Sequence, residues 1–377
     1  KYKLIDESRG KGITTRKKRK GLNQYVNDKD NNWDDNYTKQ IHASTQWAAG
    51  AVWDFYVTRF GRNGPDGEGM GLDIITDQEA NENCPMNSCA PASNPLQLNF
   101  VNPISGKCNP RISVNTVGHE FTHGVGYKEA NWHPTTVSPS DESYALMEGI
   151  CDIFGEVVEF DAQGWIDWKY DDQSWIDKNC ERVFAPPILD GKSALEYRDV
   201  NWNNNSEGHY RSGVLRYWFY LLTIGGTGIN HLGNNFCVEG IRILKASQII
   251  YKTLNDNYFN SSSNFVDAKN ATIQVAKYLY GPSSNEVAQV TNAWYAVGVG
   301  PAFSGIIEYN NLTVSGTQTI SHNNEVVLNN LQVTPTGNLT VTSNTKIVMK
   351  PNSKASSGSY FHAYIAPVPA CNSGNRT

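Results

Sequence analysis

No uninterrupted apolar run in the sequence reaches the eighteen or so residues that a membrane-spanning helix needs. The longest apolar stretch, Val214–Ile224, is broken by Arg216, which excludes a helical span. The first residues are charged, so no apolar signal-peptide segment stands at the start. Charge is sparse, at 18% of residues with a net −5, and this argues against a general nucleic-acid binder. The single basic run, Arg16–Lys20, reads as a solvated face or arm. No CxxC pair is present, so a zinc ribbon is excluded. Seven cysteines remain. Cys84, Cys89 and Cys108 cluster as in a bridged loop, while Cys151, Cys180, Cys237 and Cys371 are dispersed. An odd number leaves at least one thiol free unless it bridges to another chain, and Cys151, set in a helical pattern, is the candidate. The other cysteines favour disulfides and a secreted protein.

What is present is ample core material, with 10 Trp and 19 Tyr in 377 residues. That length exceeds one ordinary domain of about 100–200 residues. Residues 1–113 are polar and rich in Gly, Asn and Asp, with a helical pattern over Thr45–Phe60 and strand-like pieces at Gly71–Ile75 and Leu96–Val101. Residues 114–302 carry most of the helical periodicity. The predicted helices are Asn115–Tyr127, Tyr144–Phe160, His209–Thr223, Phe236–Leu254, Asn264–Tyr280 and Glu286–Val297. A boundary falls at Gly300–Ser304. Beyond it, residues 303–377 alternate Val, Thr and Ile with Asn, Ser and Gly at Leu312–Val314, Val326–Leu328, Leu331–Val333, Leu339–Val341 and Ile347–Met349. Such spacing predicts a small all-β module.

The segment His119-Glu120-Phe121-Thr122-His123 is the most informative. On a helix, residues four apart share a face, so both imidazoles can reach one ion, and Glu120 borders the same place. This is the HExxH arrangement of zinc peptidases, in which the Glu takes a proton from a water. A third protein ligand is then required. A third histidine after Gly126 is missing, because Glu129 stands at that position. Glu148, on the next predicted helix, is the expected ligand, with Glu129 and Glu142 as rivals. Asp152 lies one turn beyond Glu148 and can accept a hydrogen bond from a ligand histidine.

With these segments in order, the chain resembles the thermolysin (M4) family of metallopeptidases. Trp47–Tyr56 resembles its long first helix, Gly118–Gly124 its zinc helix, and Glu148–Phe160 its ExxxD helix. Gly208–Gly213 resembles its second histidine motif, and Ser263–Phe265 and Ala296–Gly300 its closing helices. The resemblance spans roughly residues 8–300. It implies an α+β fold, with a two-lobed catalytic unit made of a β-rich N-terminal lobe and a helical C-terminal lobe. It implies one catalytic zinc on His119, His123 and Glu148, with Glu120 as general base and Asp152 orienting a ligand histidine. His209 would stabilise the oxyanion, oriented by Glu207 or Asn204. It also implies a secreted endopeptidase that cuts protein or peptide substrates on the amino side of apolar residues. A monomer is expected, with a propeptide inhibitor preceding the Gly10–Ile13 region before processing.

The chain departs from the family pattern in places. The family's Tyr, a second oxyanion donor, would fall at position 139, which is Pro139. Its substrate-carbonyl Arg follows an Ala-Leu pair, but Glu196 follows Ala194-Leu195, and Arg198 is the expected substitute. The family's structural calcium maps onto Asn115, Glu156, Glu159, Asp167 and Lys169. A lysine in place of a second carboxylate implies one calcium ion rather than two. Ile347–Pro351 followed by Gly358–Ala363 resembles a segment near the C-termini of secreted Bacteroidetes proteins, which implies a bacterial secreted or cell-surface location and type IX export. The competing reading, a non-catalytic binding protein built on a peptidase-like lobe, would require loss of Glu120 or a ligand, and each is in place.

Overall fold

The computed structural model describes residues 1–78, 88–91, 93, 96–101, 112–133, 135–170, 182–185 and 190–367. The described helices are α1 (Tyr37–Phe60), α2 (Val114–Ala130), α3 (Glu142–Gln163), α4 (Val200–Asn204), α5 (Gly208–Arg211), α6 (Gly213–Ile224), α7 (Ile243–Asn255), α8 (Phe265–Tyr280) and α9 (Asn285–Ala296). The chain divides into two compact units. One comprises Lys1–Tyr217 with Ile250–Ala268, and the other Trp218–Ile249 with Lys269–Thr377.

The first unit opens with β1 (Tyr2–Lys3), β2 (Ile5–Asp6), β3 (Ile13–Arg19), β4 (Leu22–Tyr25) and β5 (Asn27–Asp28). It continues with β6 (Leu72–Gln78), β7 (Leu96–Val101), β8 (Lys169–Tyr170) and β9 (Arg182–Val183). β3, β6 and β7 lie parallel in the order β2-β3-β6-β7, with β4 antiparallel to β3. Ile13 pairs with Leu72 and Leu72 with Leu96, and all three are buried, as the two-residue period of a half-buried sheet requires. The basic run Arg16–Lys20 falls largely on β3, where Arg16 pairs with Asp73 on β6 at 2.6 Å.

α1 starts at the Asn36 cap, whose side chain accepts from the Lys39 N–H, and ends on Gly61 at φ 68°, a left-handed residue. It carries Trp53 and Tyr56 into the core. Tyr56 stacks on Phe121 of α2 at 4.9 Å, and its hydroxyl lies 2.8 Å from Thr122 Oγ1. α2 is buried on every side from Val114 to Gly126, so it is a core helix rather than an amphipathic one. α3 crosses it at a pair of glycines. A Cβ on Gly155 would stand 2.6 Å from the Asn115 carbonyl, and one on Gly118 would stand 3.3 Å from Gly155 Cα. Any side chain at Gly155 therefore forces the helices apart, and the contact between α2 and α3 is what brings the two metal-binding candidates, His119 and Glu148, together.

The second unit begins with β10 (Gly225–Ile229) and β11 (Asn235–Glu239), an antiparallel hairpin. The expected helix over Phe236–Leu254 is corrected here: its first residues form β11, and the helix begins only at Ile243. Phe236 and Val238 are buried on alternate positions, a period of two. Gly240 then passes so close that a Cβ would meet the Thr223 carbonyl at 2.5 Å. The expected helix over His209–Thr223 is likewise two helices, broken at Ser212. In the helical part, Trp218 stacks on Trp294 at 4.8 Å, and Trp294 Nε1 donates to Thr272 Oγ1 at 2.8 Å.

The strands from β12 (Ile307–Asn310), β13 (Thr313–Val314) and β14 (Thr317–His322) recur as β15 (Val326–Asn329), β16 (Gln332–Val333) and β17 (Asn338–Ser343). They recur again as β18 (Ile347–Met349), β19 (Lys354–Ala355) and β20 (Tyr360–Ile365). Each strand pairs in parallel with its equivalent in the next set, giving three parallel sheets. The β module is thus a three-coil solenoid with a repeat of about twenty residues. Val314, Ile320, Leu328, Val333, Leu339 and Val341 fill its interior. Asn311 and Asn330, both left-handed, stack at the turns with a 2.8 Å side-chain bond, and Asn310 and Asn329 bond at 2.6 Å.

Cys89 and Cys237 each take part in a disulfide, and Cys151 is a free, buried thiol, as its helical setting suggested. Cys84, Cys108, Cys180 and Cys371 lie outside the described residues. Among the described residues no helix is long and apolar enough to cross a membrane.

Candidate active site

The site lies within the first unit and is assembled from α2, α3 and α5. Their four-residue spacing places His119 and His123 on one face of α2, with Nε2 atoms 3.1 Å apart. From α3, Glu148 approaches both: its Oε2 is 3.3 Å from His119 Nε2, and its Oε1 is 3.7 Å from His123 Nε2. His209, from the short α5, brings its Nε2 to 3.2 Å from Glu148 Oε2. Glu148 Oε2 nevertheless has no aligned hydrogen bond, although it is fully buried. These atoms point at a common centre rather than at each other.

That convergence fits zinc. Zinc–ligand bonds of about 2.1 Å in a tetrahedron set donor atoms about 3.4 Å apart, close to the spacings seen here. Cys151 also comes within 4.8 Å of the two histidines. Burial, with Glu148, Asp152 and Glu120 nearby, pushes its thiol well up, whereas Glu148 reaches the Nε2 atoms of both histidines as a carboxylate. Glu148 is the better third donor, because burial opposes its ionisation but His209, His123 and His119 hold it well below the usual range. Glu129 and Glu142, the rival third ligands, are engaged elsewhere, Glu129 with Arg62 at 2.8 Å and Glu142 with the Tyr197 hydroxyl at 2.9 Å.

Around this centre, the environments of the titrating groups diverge. Burial drives Glu120 upward against the pull of His119, so its carboxyl holds a proton more readily than a free glutamate does. Burial penalises charge on His119, yet Asp152 and Glu148 prevail and push it up to about 9; burial alone dominates at His123 and pushes it down to about 4. Proton release therefore accompanies metal binding. Asp152 is fully buried. It lies 2.9 Å from His119 Nδ1 and is gripped by Arg182 through two bonds of 2.9 and 2.6 Å and by Arg216 through one of 3.0 Å. Arg182 also lies 4.1 Å over the Tyr170 ring, which packs 5.0 Å from His119.

Neither arginine was singled out from sequence. Arg198 was, yet it is exposed and lies 4.8 Å over the Tyr197 ring, and no described contact joins it to the cluster. Its placement lends no geometric support to a substrate contact. Of the two candidates for orienting His209, Glu207 is the one in place, with Oε1 2.5 Å from Nδ1. Tyr144, also missed, stands edge-on to His209 at 5.6 Å and is driven well up by the neighbouring Glu148 charge. It precedes Glu148 by four residues on one helix face, a spacing visible in the sequence. The expected calcium residues also gather: Asn115 Nδ2 is 3.5 Å from Glu156 Oε1, 3.5 Å from Glu159 Oε2 and 3.4 Å from the Lys169 carbonyl, and Asp167 joins the two glutamates.

Two family models match this chain. The thermolysin metallopeptidase catalytic domain matches residues 1–126, and the thermolysin metallopeptidase alpha-helical domain matches residues 138–299. The chain belongs to the thermolysin metallopeptidase family. It is 30% identical over 309 residues to a thermostable neutral protease of Geobacillus stearothermophilus, covering 79% of this chain and 53% of that protein. It is 28% identical over 376 residues to a transglutaminase-activating metalloprotease of Streptomyces mobaraensis, covering 89% of this chain and 44% of the relative. The chain thus spans about half the length of these relatives. Its fold is similar to that of a precursor of protealysin, a metalloproteinase from Serratia proteamaculans, with TM-score 0.59, 22% identity, and coverage of 76% of this chain and 87% of that one. The family implies a catalytic zinc, and the donor set described above fits it.

The pairing of Glu207 with His209 carries a pH prediction. Burial acts against charge on His209, but Glu148 and Glu207 push it up to about 10. A raised histidine holds its proton below that pKa and loses it as pH rises through it. Glu207→Gln removes one of the two supports. The alkaline limb of the kcat/KM profile is expected to move down by about one pH unit, measured on a short peptide across pH 6–11. An unmoved limb would detach Glu207 from the function of His209.

Proposed function

We propose that this chain is a zinc-dependent endopeptidase that hydrolyses peptide bonds, with a preference for an apolar residue on the amine side of the cut. The observation that carries this reading is the convergence of His119, His123, Glu148 and His209 on one centre, with Glu120 buried beside His119. His119, His123 and Glu148 hold the metal, and Asp152 keeps His119 turned toward it. When bound, zinc supplies a Lewis acid that polarises a carbonyl and acidifies a water. Glu120 takes the proton of the attacking water and delivers it to the departing amine. His209 donates from Nε2 to the oxygen that becomes an oxyanion, and Tyr144 is placed to assist. The test is casein hydrolysis with and without a zinc chelator. Activity is expected to vanish on chelation and return with added zinc, and chelator-insensitive hydrolysis would overturn the reading. Cleavage-site mapping on a peptide library then checks the apolar preference.

Calcium belongs to the same proposal: one ion held by Asn115, Glu156, Glu159, Asp167 and the Lys169 carbonyl, a set of oxygens of the kind calcium takes. Adding calcium at about 100 times its Kd should stabilise the protein by about 2.7 kcal/mol, seen as a rise in Tm. Glu159→Gln should abolish that rise. An equal rise in the variant would place the ion elsewhere.

The division into 1–113, 114–302 and 303–377 is supported by the end of the helical-domain match at 299 and by the solenoid's start at Ile307. The disulfides at Cys89 and at Cys237 support a secreted protein, and the bacterial relatives and the precursor of similar fold support a bacterial protein processed from a propeptide-bearing form, which we take to act as a monomer. Type IX export is the route suggested by residues 347–363, and it is checked by whether deleting that segment keeps the protein out of the medium.

A further inference from the structure

The geometry points to Arg216 as a positioning residue that fixes His209 against His119, through a link that no family motif in the sequence announces. The inference rests on the reading of His209 as the oxyanion donor. Arg216 lies on the first turn of α6 and is fully buried in an otherwise apolar helix face. A buried guanidinium is costly unless its donors are used, and here both Nη groups are directed at the two sides of the site, while Nε has no partner among the described residues. Its Nη1 lies 3.0 Å from Asp152 Oδ2, 3.1 Å from the His209 carbonyl and 2.6 Å from Ser212 Oγ. Its Nη2 donates to Ser193 Oγ at 2.6 Å. Ser212 Oγ in turn donates to the same His209 carbonyl at 2.7 Å.

α5, which carries His209, is only four residues long. A helix of one turn has almost no intrinsic stability, so tertiary contacts must set its orientation. Glu207 fixes the imidazole through Nδ1, and Arg216 with Ser212 fixes the backbone carbonyl behind it. At its other end, Asp152 touches His119 Nδ1 at 2.9 Å. A continuous chain of contacts therefore runs from His119 through Asp152 and Arg216 to His209. It sets the separation between the metal centre and the oxyanion donor, a distance on which catalysis depends steeply. Arg182 secures Asp152 independently, so removing Arg216 releases His209 while Asp152 stays paired and His119 stays oriented.

The experiment is a double-mutant cycle of Arg216→Met and His209→Ala in the zinc-loaded chain, read as kcat, KM and zinc retention against a chelator. Arg216→Met is expected to lower kcat about 10–100-fold with KM changed less than about threefold and zinc retention unchanged. The double variant should be no slower than His209→Ala alone, because both act through one group. Ser212→Ala, which keeps the guanidinium, is expected to give a smaller loss of the same non-additive kind, and it stands in if Arg216→Met does not fold. Additive losses, or zinc released in parallel with activity, would overturn the inference and leave the role of His209 intact. If His209→Ala retains wild-type kcat, the reading of His209 itself falls, and the inference with it.

Discussion

Glu120→Gln is expected to lower kcat/KM about 10³–10⁴-fold while zinc stays bound and the fold is unchanged. The substitution keeps shape and volume, and Glu120 is not among the groups that converge on the metal centre. It removes only the capacity to accept and return a proton. Burial raises the Glu120 carboxyl above its ordinary value, and its Oε2 has no hydrogen bond among the described residues, which leaves that oxygen open to a proton. A glutamine amide has no such basicity. Stability should change little, because a buried carboxylate is replaced by a neutral group of the same size. The measurement is kcat/KM on an internally quenched peptide, beside metal analysis and thermal unfolding of the same sample. Wild-type turnover in a zinc-replete variant would remove Glu120 from the reaction, and zinc loss would make it a ligand.

The legible part of this site was the part that a single helix writes into sequence. His119 and His123 are four apart, and Asp152 follows Glu148 by four, so periodicity alone puts each pair on one face. The helices themselves were legible wherever one apolar face alternates with a polar one. α2 was found in spite of being buried on all sides, because its motif stood out chemically. What was hidden depends on contacts between distant segments. Arg182 and Arg216 both reach Asp152, from 30 and 64 residues away. Arg216 did leave a trace, since a lone charge in an apolar helix implies a buried partner, but the sequence does not say which. Tyr144 carries no family motif of its own, because the resemblance places the family's tyrosine at position 139, which is Pro139. Phe236–Glu239 reads as helix in the sequence because a short apolar run does not declare its period until its neighbours are known. The solenoid was read as strands but not as a repeat, since its coils share apolar positions and turn asparagines rather than identical residues.

Asp152→Ala is expected to be the most destabilising change near the site, by about 3–5 kcal/mol. Asp152 is fully buried and takes three bonds from two guanidiniums, which hold its carboxyl well below the usual range despite the opposing effect of burial. Removing it leaves Arg182 and Arg216 as two like charges without their shared counter-charge, in a place where water cannot replace it. The same change releases His119 Nδ1, and losing such an outer partner lowers metal affinity about 10–100-fold. The two effects separate experimentally. Urea unfolding with saturating chelator reads the charge imbalance alone, and chelator competition in the folded state reads zinc affinity. Asp152→Asn keeps the hydrogen-bond shape but not the charge, so it should recover much of the zinc affinity and little of the stability. Adding Arg216→Met to Asp152→Ala removes one stranded guanidinium and should return part of the lost stability, since deleting both partners of a buried pair costs less than deleting one. If Asp152→Ala unfolds at the wild-type urea midpoint, the carboxylate is not the anchor of the two arginines, and the link from His119 to His209 loses its central member.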